Sequence, residues 1–397
     1  MGDEPRDVVV LGAGIAGTAL ASHLARRSLR VTVVDPRTPA AGASGRAAGI
    51  VTEQLWNEWD VAVTRESRAE YLELAKGDPE TFLEAPFVRL TVNPTIAEAL
   101  GHAVVRLRGW GVPVESVDAD RLLDWFPAGH FAGLRGAIAS RSDACVTPST
   151  ITTLYLDDAR RHGAEVAFGA PVPVPEFRDR RWSVRSGPAV IRARALVVAA
   201  GAWSKSLLVG LGHPLPLTPY RTQAAVLRPP TGSTKGPAAS FHDLDTDVYA
   251  RPESNGRILA GDGTEWFETD PERFVAGADA SFLAHLAEAL GTWFPEWGGS
   301  DVVGAWAGVC TATLDRRPCI GPVDPARSLY SITGFNGFGV MRAGGAARRL
   351  AELIAAPDSA TAAAALEPVL PARFGGRAPV FSPIPGFTLE GGEAPRF

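Results

Sequence analysis

Three glycines near the start of the chain, Gly12, Gly14 and Gly17, constrain the fold more than any other feature. They follow the apolar run Val8–Leu11, which is typical of a parallel strand buried on both faces. The GxGxxG spacing permits a tight turn, a close approach of the backbone to a pyrophosphate, and tight packing of the next helix on the strand. The N-terminal end of that helix offers unpaired N–H groups and a positive dipole to phosphates.

A second predicted strand, Val31–Val34, is followed directly by Asp35, about 20 residues beyond the glycines. A carboxylate at this point accepts hydrogen bonds from ribose hydroxyls. It favours an unphosphorylated ribose, and therefore FAD or NAD over NADP. The two strands, the glycine turn and the acid together predict a dinucleotide-binding unit rather than a structural turn that happens to be rich in glycine.

The length and composition limit the number of domains and the kinds of partner that we expect. A chain of 397 residues is too long for one ordinary core, so we expect two domains. The net charge of −5 is spread along the chain, which argues against a nucleic-acid partner. Cys145, Cys310 and Cys319 form no CxxC pair, so neither a disulfide framework nor a zinc site is expected. The sequence shows no secretory or membrane-spanning segment, and we expect a cytoplasmic protein that acts on a small molecule and could form a homo-oligomer.

A second strand–glycine–helix unit lies near the far end of the chain. The apolar strand Ser328–Thr333 runs through GFNGFG, residues 334–339, into a predicted helix, Val340–Ala355. Between the two units, we expect a helix over Ile50–Lys76 and a short strand over Val172–Val174. The pattern of predicted strands and helices changes at the start of each of two inserted segments. We therefore predict a nucleotide-binding domain from residues 1–81, 143–216 and 313–375. Residues 82–142 and 217–312 would form an inserted domain, and 376–397 a C-terminal tail.

Four stretches resemble the D-amino-acid-oxidase-like superfamily of FAD-dependent oxidoreductases. They are LGAGIAG with Asp35, ALVVAAGAWS at Ala195–Ser204, Trp306–Pro322 and Ser331–Ile354. The sarcosine oxidase, glycine oxidase and dye-linked L-proline dehydrogenase branch is the most similar. The resemblance implies an α/β two-domain fold, with a Rossmann-like FAD-binding domain of the glutathione-reductase-2 type and an inserted antiparallel-sheet substrate domain. It also implies oxidation of a C–N bond of an amine or amino acid to an imine, by hydride transfer to flavin N5.

The resemblance further implies FAD in an extended form. The first glycine turn would hold the pyrophosphate, and Asp35 the adenosine ribose. Val172 would lie at the adenine, and the last glycine turn would present N–H groups to the flavin C2 carbonyl, where the helix dipole stabilises negative charge. Arg46 stands where some relatives carry a flavin-linked histidine, so we expect non-covalent FAD. The predicted cofactor residues are Gly12, Ala13, Gly14, Ile15, Ala16, Gly17, Asp35, Pro36, Arg37, Ser44, Arg46, Ala47, Ala48, Val172, Ala200, Gly201, Trp203, Gly334, Asn336, Gly337, Phe338, Gly339 and Val340.

The substrate side departs from the family pattern. Glycine-oxidase-like relatives bind the substrate carboxylate with an arginine at the position of Cys310, and a second arginine expected near Gly337 is also missing. Guanidinium binds carboxylate bidentately, so Arg46 and Arg251 are the alternative cations. Tyr249 would cap the pocket and donate a hydrogen bond. The predicted catalytic residues are Arg46, Tyr249, Arg251, Cys310 and Asn336.

Three other activities stay open from the sequence. The superfamily includes flavin dehydrogenases of 2-hydroxy acids and similar alcohols. A flavin monooxygenase shares the first glycine motif, but usually has a Gly-Asp pair where this chain has Gly334-Phe335. The third alternative is a subunit that binds FAD but catalyses no reaction itself. The sequence does not decide between an oxidase and a dehydrogenase.

Overall fold

The computed structural model describes residues 6–230, 237–253, 256–262 and 268–375, and the predicted tail 376–397 lies outside them. The strands are β1 (Arg6–Leu11), β2 (Val31–Asp35), β3 (Ile50–Val51), β4 (Phe82–Glu84), β5 (Phe87–Thr91), β6 (Val114–Ser116), β7 (Gly136–Ser140), β8 (Ala144–Val146), β9 (Glu165–Phe168), β10 (Glu176–Arg178), β11 (Arg181–Ser186), β12 (Ala189–Val198), β13 (Leu217–Arg228), β14 (Ser240–Asp243), β15 (Tyr249–Pro252), β16 (Ile258–Gly261), β17 (Asp301–Thr313), β18 (Cys319–Asp324) and β19 (Leu329–Thr333).

The α-helices alternate with these strands. They are α1 (Ile15–Arg26), α2 (Glu58–Ala75), α3 (Pro94–Gly109), α4 (Ala119–Trp125), α5 (Pro148–Arg161), α6 (Ser204–Gly210), α7 (Ala280–Trp293), α8 (Gly339–Ala355) and α9 (Ala360–Ala364). Among the described residues, no helix is both long enough and apolar enough to cross a membrane.

The first sheet is built around β1, which pairs in parallel with β2 on one side and β12 on the other. β9 extends the parallel arrangement beyond β2, and β19 extends it beyond β12. The helices α1, α5 and α8 pack together on one face of this sheet. Because the strands are parallel, the turns that follow β1, β12 and β19 meet at one edge, which brings both predicted glycine turns to the same side of the molecule.

The second sheet has the order β17-β13-β16-β15-β14-β5-β7-β6. All of its pairs are antiparallel except β14 with β5. An aromatic-rich core that includes Phe126, Phe241, Trp293 and Phe294 covers one face. The opposite face borders a large cavity beneath the first sheet. The predicted two-domain α/β architecture is therefore confirmed.

Two predicted elements were wrong. Ile50–Lys76 is not one helix: β3 occupies its start, and α2 begins only at Glu58, where Asn57 accepts a hydrogen bond from the Asp60 amide at 2.9 Å. β3 pairs with β8, almost a hundred residues away, so local periodicity could not reveal it. Residues 172–174 form no strand, and Val172 instead borders the cavity.

Candidate cofactor and substrate site

One continuous cavity of about 2150 Å³ extends from the N-terminus of α1 to the N-terminus of α8. Small-molecule pockets usually measure about 300–1,000 Å³, so this cavity has room for a dinucleotide together with a substrate. The first sheet's glycine turns line one wall, and the second sheet lines another. Within the described ranges, no group of three or more His, Cys, Asp or Glu is placed to hold a metal ion.

The first turn needs its glycines for steric reasons. A Cβ at Gly12 would lie 2.4 Å from the carbonyl oxygen of Ala199, and Gly12 has φ +114°. A Cβ at Gly17 would lie 2.0 Å from the Gly12 oxygen. Gly12 and Gly14 line the cavity, whereas Gly17 lies behind them and holds α1 against β1. The roles assigned by the GxGxxG pattern therefore match the packing at this turn.

Asp35, at the end of β2, binds the backbone of the first glycine turn. Its carboxylate accepts hydrogen bonds from the Ala13 amide and from the Arg37 amide, each at 2.8 Å. A carboxylate has about four acceptor positions, so Asp35 keeps capacity to accept ribose hydroxyls. Ser44 Oγ accepts a hydrogen bond from the Ile15 amide at 2.9 Å, which places a hydroxyl at the N-terminus of α1.

The loop that carries Arg46 connects the two walls. The Arg46 guanidinium donates to the carbonyls of Ala41 and Gly42, and its methylenes pack near Gly308 of β17. The Arg46 carbonyl accepts a hydrogen bond from Trp306 Nε1 at 3.0 Å. Arg46 therefore lines the cavity, but part of its hydrogen-bonding capacity goes to its own loop.

Gly201 and Trp203 line the middle of the cavity. Gly201 has φ +51°, and a Cβ there would meet no atom within 4 Å, so its backbone is open to a ligand. Trp203 lies beneath the Arg37 guanidinium, 4.0 Å from the ring centroid, and donates from Nε1 to Glu272. Val172 lines the same region.

The last glycine turn leads from β19 into α8. Gly334 has φ +73°, and a Cβ there would lie 2.7 Å from a methyl group of Thr313. Gly337 has φ +84°, and a Cβ there would lie 3.0 Å from the Tyr220 hydroxyl. In the described part of the chain, no side chain caps the N-terminus of α8 with a hydrogen bond, and Gly339 and Val340 line the cavity. The helix therefore presents its positive end there.

Asn336 does not fit the predicted role toward a substrate. Its side-chain oxygen accepts from the Thr313 amide at 2.8 Å, and its Nδ2 donates to the Gly334 carbonyl at 2.7 Å. The residue is buried and has φ +56°, a conformation that asparagine tolerates better than most residues. The side-chain oxygen therefore fastens the turn to β17, and Nδ2 closes the turn on itself.

The second sheet presents a row of paired residues across six strands. The in-register partners are Arg89 on β5, His242 on β14, Tyr249 on β15, Gly261 on β16, Ala224 on β13 and Trp306 on β17. Directly paired residues point to the same face of a sheet, and this face borders the cavity. His242 Nε2 lies 2.6 Å from Asp247 Oδ1. Tyr249 therefore borders the cavity together with His242, Arg89 and Trp306, and its role toward a substrate stays a prediction.

Tyr220 and Cys310 are also directly paired on β13 and β17, on the same face as Ala224 and Trp306. Burial raises the pKa of the Cys310 thiol to about 11, while its hydrogen bond with Tyr220 lowers that pKa. Burial also raises the pKa of Tyr220 and of Tyr249. All three groups are therefore protonated at neutral pH. Sequence reasoning missed Tyr220, although the alternation within residues 217–228 could have placed it on the same face as Ala224.

The structure does not support Arg251 as a cation in the cavity. Arg251 donates to the carbonyls of Ala48 and Pro252 and forms an ion pair with Glu253, and it does not line the cavity. The arginines that do line it, besides Arg37 and Arg46, are Arg89 and Arg316. Burial lowers the pKa of Arg89 to about 10, so its guanidinium stays charged at neutral pH.

Most predicted site residues share this one cavity. Ala13, Gly17 and Arg251 do not line it; the first two act on the turn itself through the bonds and contacts given above. The predicted residues that do line it are Gly12, Gly14, Ile15, Ala16, Asp35, Pro36, Arg37, Ser44, Arg46, Ala47, Ala48, Val172, Ala200, Gly201, Trp203, Tyr249, Cys310, Gly334, Asn336, Gly337, Phe338, Gly339 and Val340.

Known proteins are similar to this chain in sequence and in fold. Glycine oxidase of Pseudomonas aeruginosa is 29% identical over 371 residues, which cover 87% of this chain and 94% of that protein. Mitochondrial dimethylglycine dehydrogenase of Mus musculus is 24% identical over 375 residues. That match covers 88% of this chain but only 42% of the longer protein. The crystal structure of L-proline dehydrogenase from P. horikoshii superposes with a TM-score of 0.85 at 22% identity, covering 94% of this chain and 98% of that one.

The family match covers most of the chain. Residues 7–353 match the DAO family, described as FAD dependent oxidoreductase. This range contains both glycine turns, Asp35 and every strand of the two main sheets except the first residue of β1. The predicted superfamily and the predicted cofactor, FAD, are thereby confirmed. The chain belongs to the DAO family of FAD-dependent oxidoreductases.

Proposed function

We propose that this chain uses bound FAD to oxidise a C–N bond of an amine or amino acid to an imine. The observation that carries the proposal is the single cavity that joins both glycine turns to the paired row on the second sheet. A dinucleotide along the first wall would end at Gly337, directly beside Tyr220. The similarity to glycine oxidase and dimethylglycine dehydrogenase supports a C–N substrate over a hydroxy acid.

The residues present suit FAD along the whole cavity. Asp35 would hold the adenosine ribose, and the N-terminus of α1 with Ser44 the phosphates. The open backbone at Gly201 would border the ribityl chain. The N-terminal amides of α8 would face the flavin's C2 carbonyl edge, where negative charge develops. When bound, FAD supplies the hydride acceptor.

The chain's own contribution is to position and desolvate the amine. Tyr249 keeps its proton and can donate a hydrogen bond, whereas Tyr220 keeps its proton and is hydrogen-bonded with Cys310. Neither can therefore act as a base at neutral pH. A largely apolar surrounding disfavours a charged ammonium, which raises the fraction of neutral amine that can transfer hydride. The His242–Asp247 pair lies on the same wall and could accept the ammonium proton.

We also propose that FAD is bound without a covalent link. The Cys310 thiol has a raised pKa and is protonated at neutral pH, which makes it a poor nucleophile. The cytoplasmic location and the homo-oligomer stay predictions from the sequence.

Anaerobic mixing tests the proposed reaction. FAD-loaded protein is mixed separately with N-methyl amino acids, primary amines, 2-hydroxy acids and NADPH, and the visible flavin absorbance is followed. We expect bleaching by amines and formation of one imine, detected as its carbonyl hydrolysis product, per flavin reduced. Bleaching by hydroxy acids alone, by NADPH alone, or by none of the four would contradict the proposal.

A further inference from the structure

One end of the cavity is an apolar compartment next to the last glycine turn. Its walls come from three separate parts of the chain: the segment before α2, the first turns of α3, and the loop after β14, which meet the turn into α8. The residues of the apolar compartment are Trp56, Ile96, Ala99, Leu244, Phe338 and Met341.

The compartment is backed by a packed core and is therefore pre-formed. Trp56, Leu244, Phe338 and Met341 are partly buried and pack against a cluster that includes Leu100. The Trp56 and Phe338 rings meet edge to face, with centroids 4.7 Å apart. Side chains fixed in this way lose little entropy when a ligand contacts them.

The polar groups at the edge of the compartment are bound within the protein. Asp245 accepts hydrogen bonds from the Thr91 hydroxyl at 3.0 Å and from the Val92 amide at 2.7 Å. His285 Nε2 lies 3.1 Å from the Thr246 carbonyl oxygen. Asp245 and His285 are therefore each held by hydrogen bonds within the protein, and the six residues of the apolar compartment present mainly hydrocarbon and aromatic surface to a ligand.

We infer that the substrate carries a large apolar group, of aromatic or branched aliphatic size, which occupies the apolar compartment. This inference rests on the proposed function, because it takes Phe338 and its neighbours as the flavin end of the cavity. Phe338 lies between Gly337 and Gly339, and all three residues line the cavity, so its ring belongs to the end of the cavity where the flavin would bind. Small amines such as sarcosine leave the compartment unfilled and bind weakly.

A ligand series of increasing size tests the inference through binding. N-methyl amino acids from N-methylglycine to N-methylleucine and N-methylphenylalanine are mixed rapidly with the FAD-loaded protein. Kd is read from the concentration dependence of the shift in flavin absorbance that precedes any reduction. We expect affinity to rise about fourfold for each methylene added. A flat or falling series would overturn the inference, whether or not any ligand reduces the flavin. A rising series without reduction by any amine would overturn the proposed function, but it would still show that the apolar compartment binds the apolar group of a ligand.

Two variants, each with a matched control, test whether the apolar compartment causes the dependence of affinity on ligand size. Ala99→Leu fills the compartment from α3, and Val105→Leu places the same side chain on an exposed position of the same helix. Trp56→Leu removes an aromatic wall, and Trp110→Leu makes the same change in a residue that packs on the same core outside the cavity. We expect the affinity ratio of N-methylphenylalanine to sarcosine to fall at least tenfold in A99L and W56L and to stay within twofold in V105L and W110L. An unchanged ratio in both A99L and W56L would contradict the assignment.

Discussion

At the residue scale, the predicted catalytic residues differ in whether they face the cavity with a polar group or use their polar groups within the protein. Tyr249 and Cys310 face it, whereas Asn336 and Arg251 have their polar groups engaged within the protein. Sequence could identify the residue types, but it could not show their hydrogen-bond partners. Arg251, for example, is bound to Ala48, about 200 residues away in the chain.

The bonds of Asn336 predict a measurable structural role. Asn336→Gly keeps the positive φ accessible but leaves the Thr313 amide and the Gly334 carbonyl without their side-chain partner. We expect a loss of about 1–3 kcal/mol in the free energy of unfolding, measured by urea denaturation, and weaker FAD binding. Asn336→Ala adds backbone strain and should be less stable than Asn336→Gly. Wild-type stability in N336G would show that these bonds contribute nothing.

Asp143 predicts a pH dependence of stability. It accepts hydrogen bonds from the Thr52 hydroxyl at 2.9 Å and the Glu53 amide at 3.0 Å, but burial raises its pKa from 3.8 to about 7. The folded carboxyl therefore keeps a proton that the unfolded carboxyl has lost between these pH values. Its contribution to the free energy of unfolding falls as pH rises through this window, by up to about 1.4 kcal/mol per pH unit.

The variant Asp143→Asn should flatten this slope. The matched control is Asp358→Asn, which changes an exposed carboxyl in the same way. The free energy of unfolding is measured by urea denaturation from about pH 4.5 to about pH 7, which lies between the pKa values of the unfolded and the folded Asp143 carboxyl. Equal slopes in the wild type and D143N would contradict the raised pKa.

At the element scale, the contact between α2 and α8 holds the last glycine turn in place. Arg342 on α8 forms a buried ion pair with Asp60 on α2 at 2.7 Å, with side chains 1% and 4% exposed. The Arg342 guanidinium also lies 5.1 Å from the Phe338 ring centroid. The pair therefore fixes the start of α8 against a neighbouring helix.

Breaking this pair should be costly. Arg342→Met leaves the Asp60 carboxylate buried without its cation, and we expect a loss of about 3–5 kcal/mol. The double variant Asp60→Asn/Arg342→Met removes both charges and should recover part of that loss. Urea denaturation of the wild type, both single variants and the double variant measures the coupling. Additive losses in the double variant would show that the two side chains do not interact.

The elements differ in how far sequence could predict them. β1, β2, β12, β19 and α8 were predictable because their apolar runs and glycines act locally. The β3–β8–β4 sheet was not, since its pairing joins distant segments with two or three residues each. Tyr220 was missed for a related reason: its position opposite Cys310 depends on the register between β13 and β17. The apolar compartment likewise depends on side chains from distant segments of the chain.

At the scale of the whole molecule, one cavity joins the two glycine turns, which lie more than 300 residues apart in sequence. Asp35 and Ser44 line one end of this cavity, and the N-terminus of α8 lines the other. The central claim is that a single extended FAD contacts both ends. A ligand that joins two subsites binds much more tightly than either of its halves, since the second contact becomes intramolecular.

Titration of the FAD-free protein with FAD, FMN and AMP, followed by calorimetry, tests this claim most directly. We expect FAD to bind at least about a hundredfold more tightly than FMN or AMP. Gly14→Val should weaken AMP and FAD binding while leaving FMN binding within about threefold, because this turn serves only the adenosine end and its phosphates. FMN binding as tightly as FAD would contradict the account.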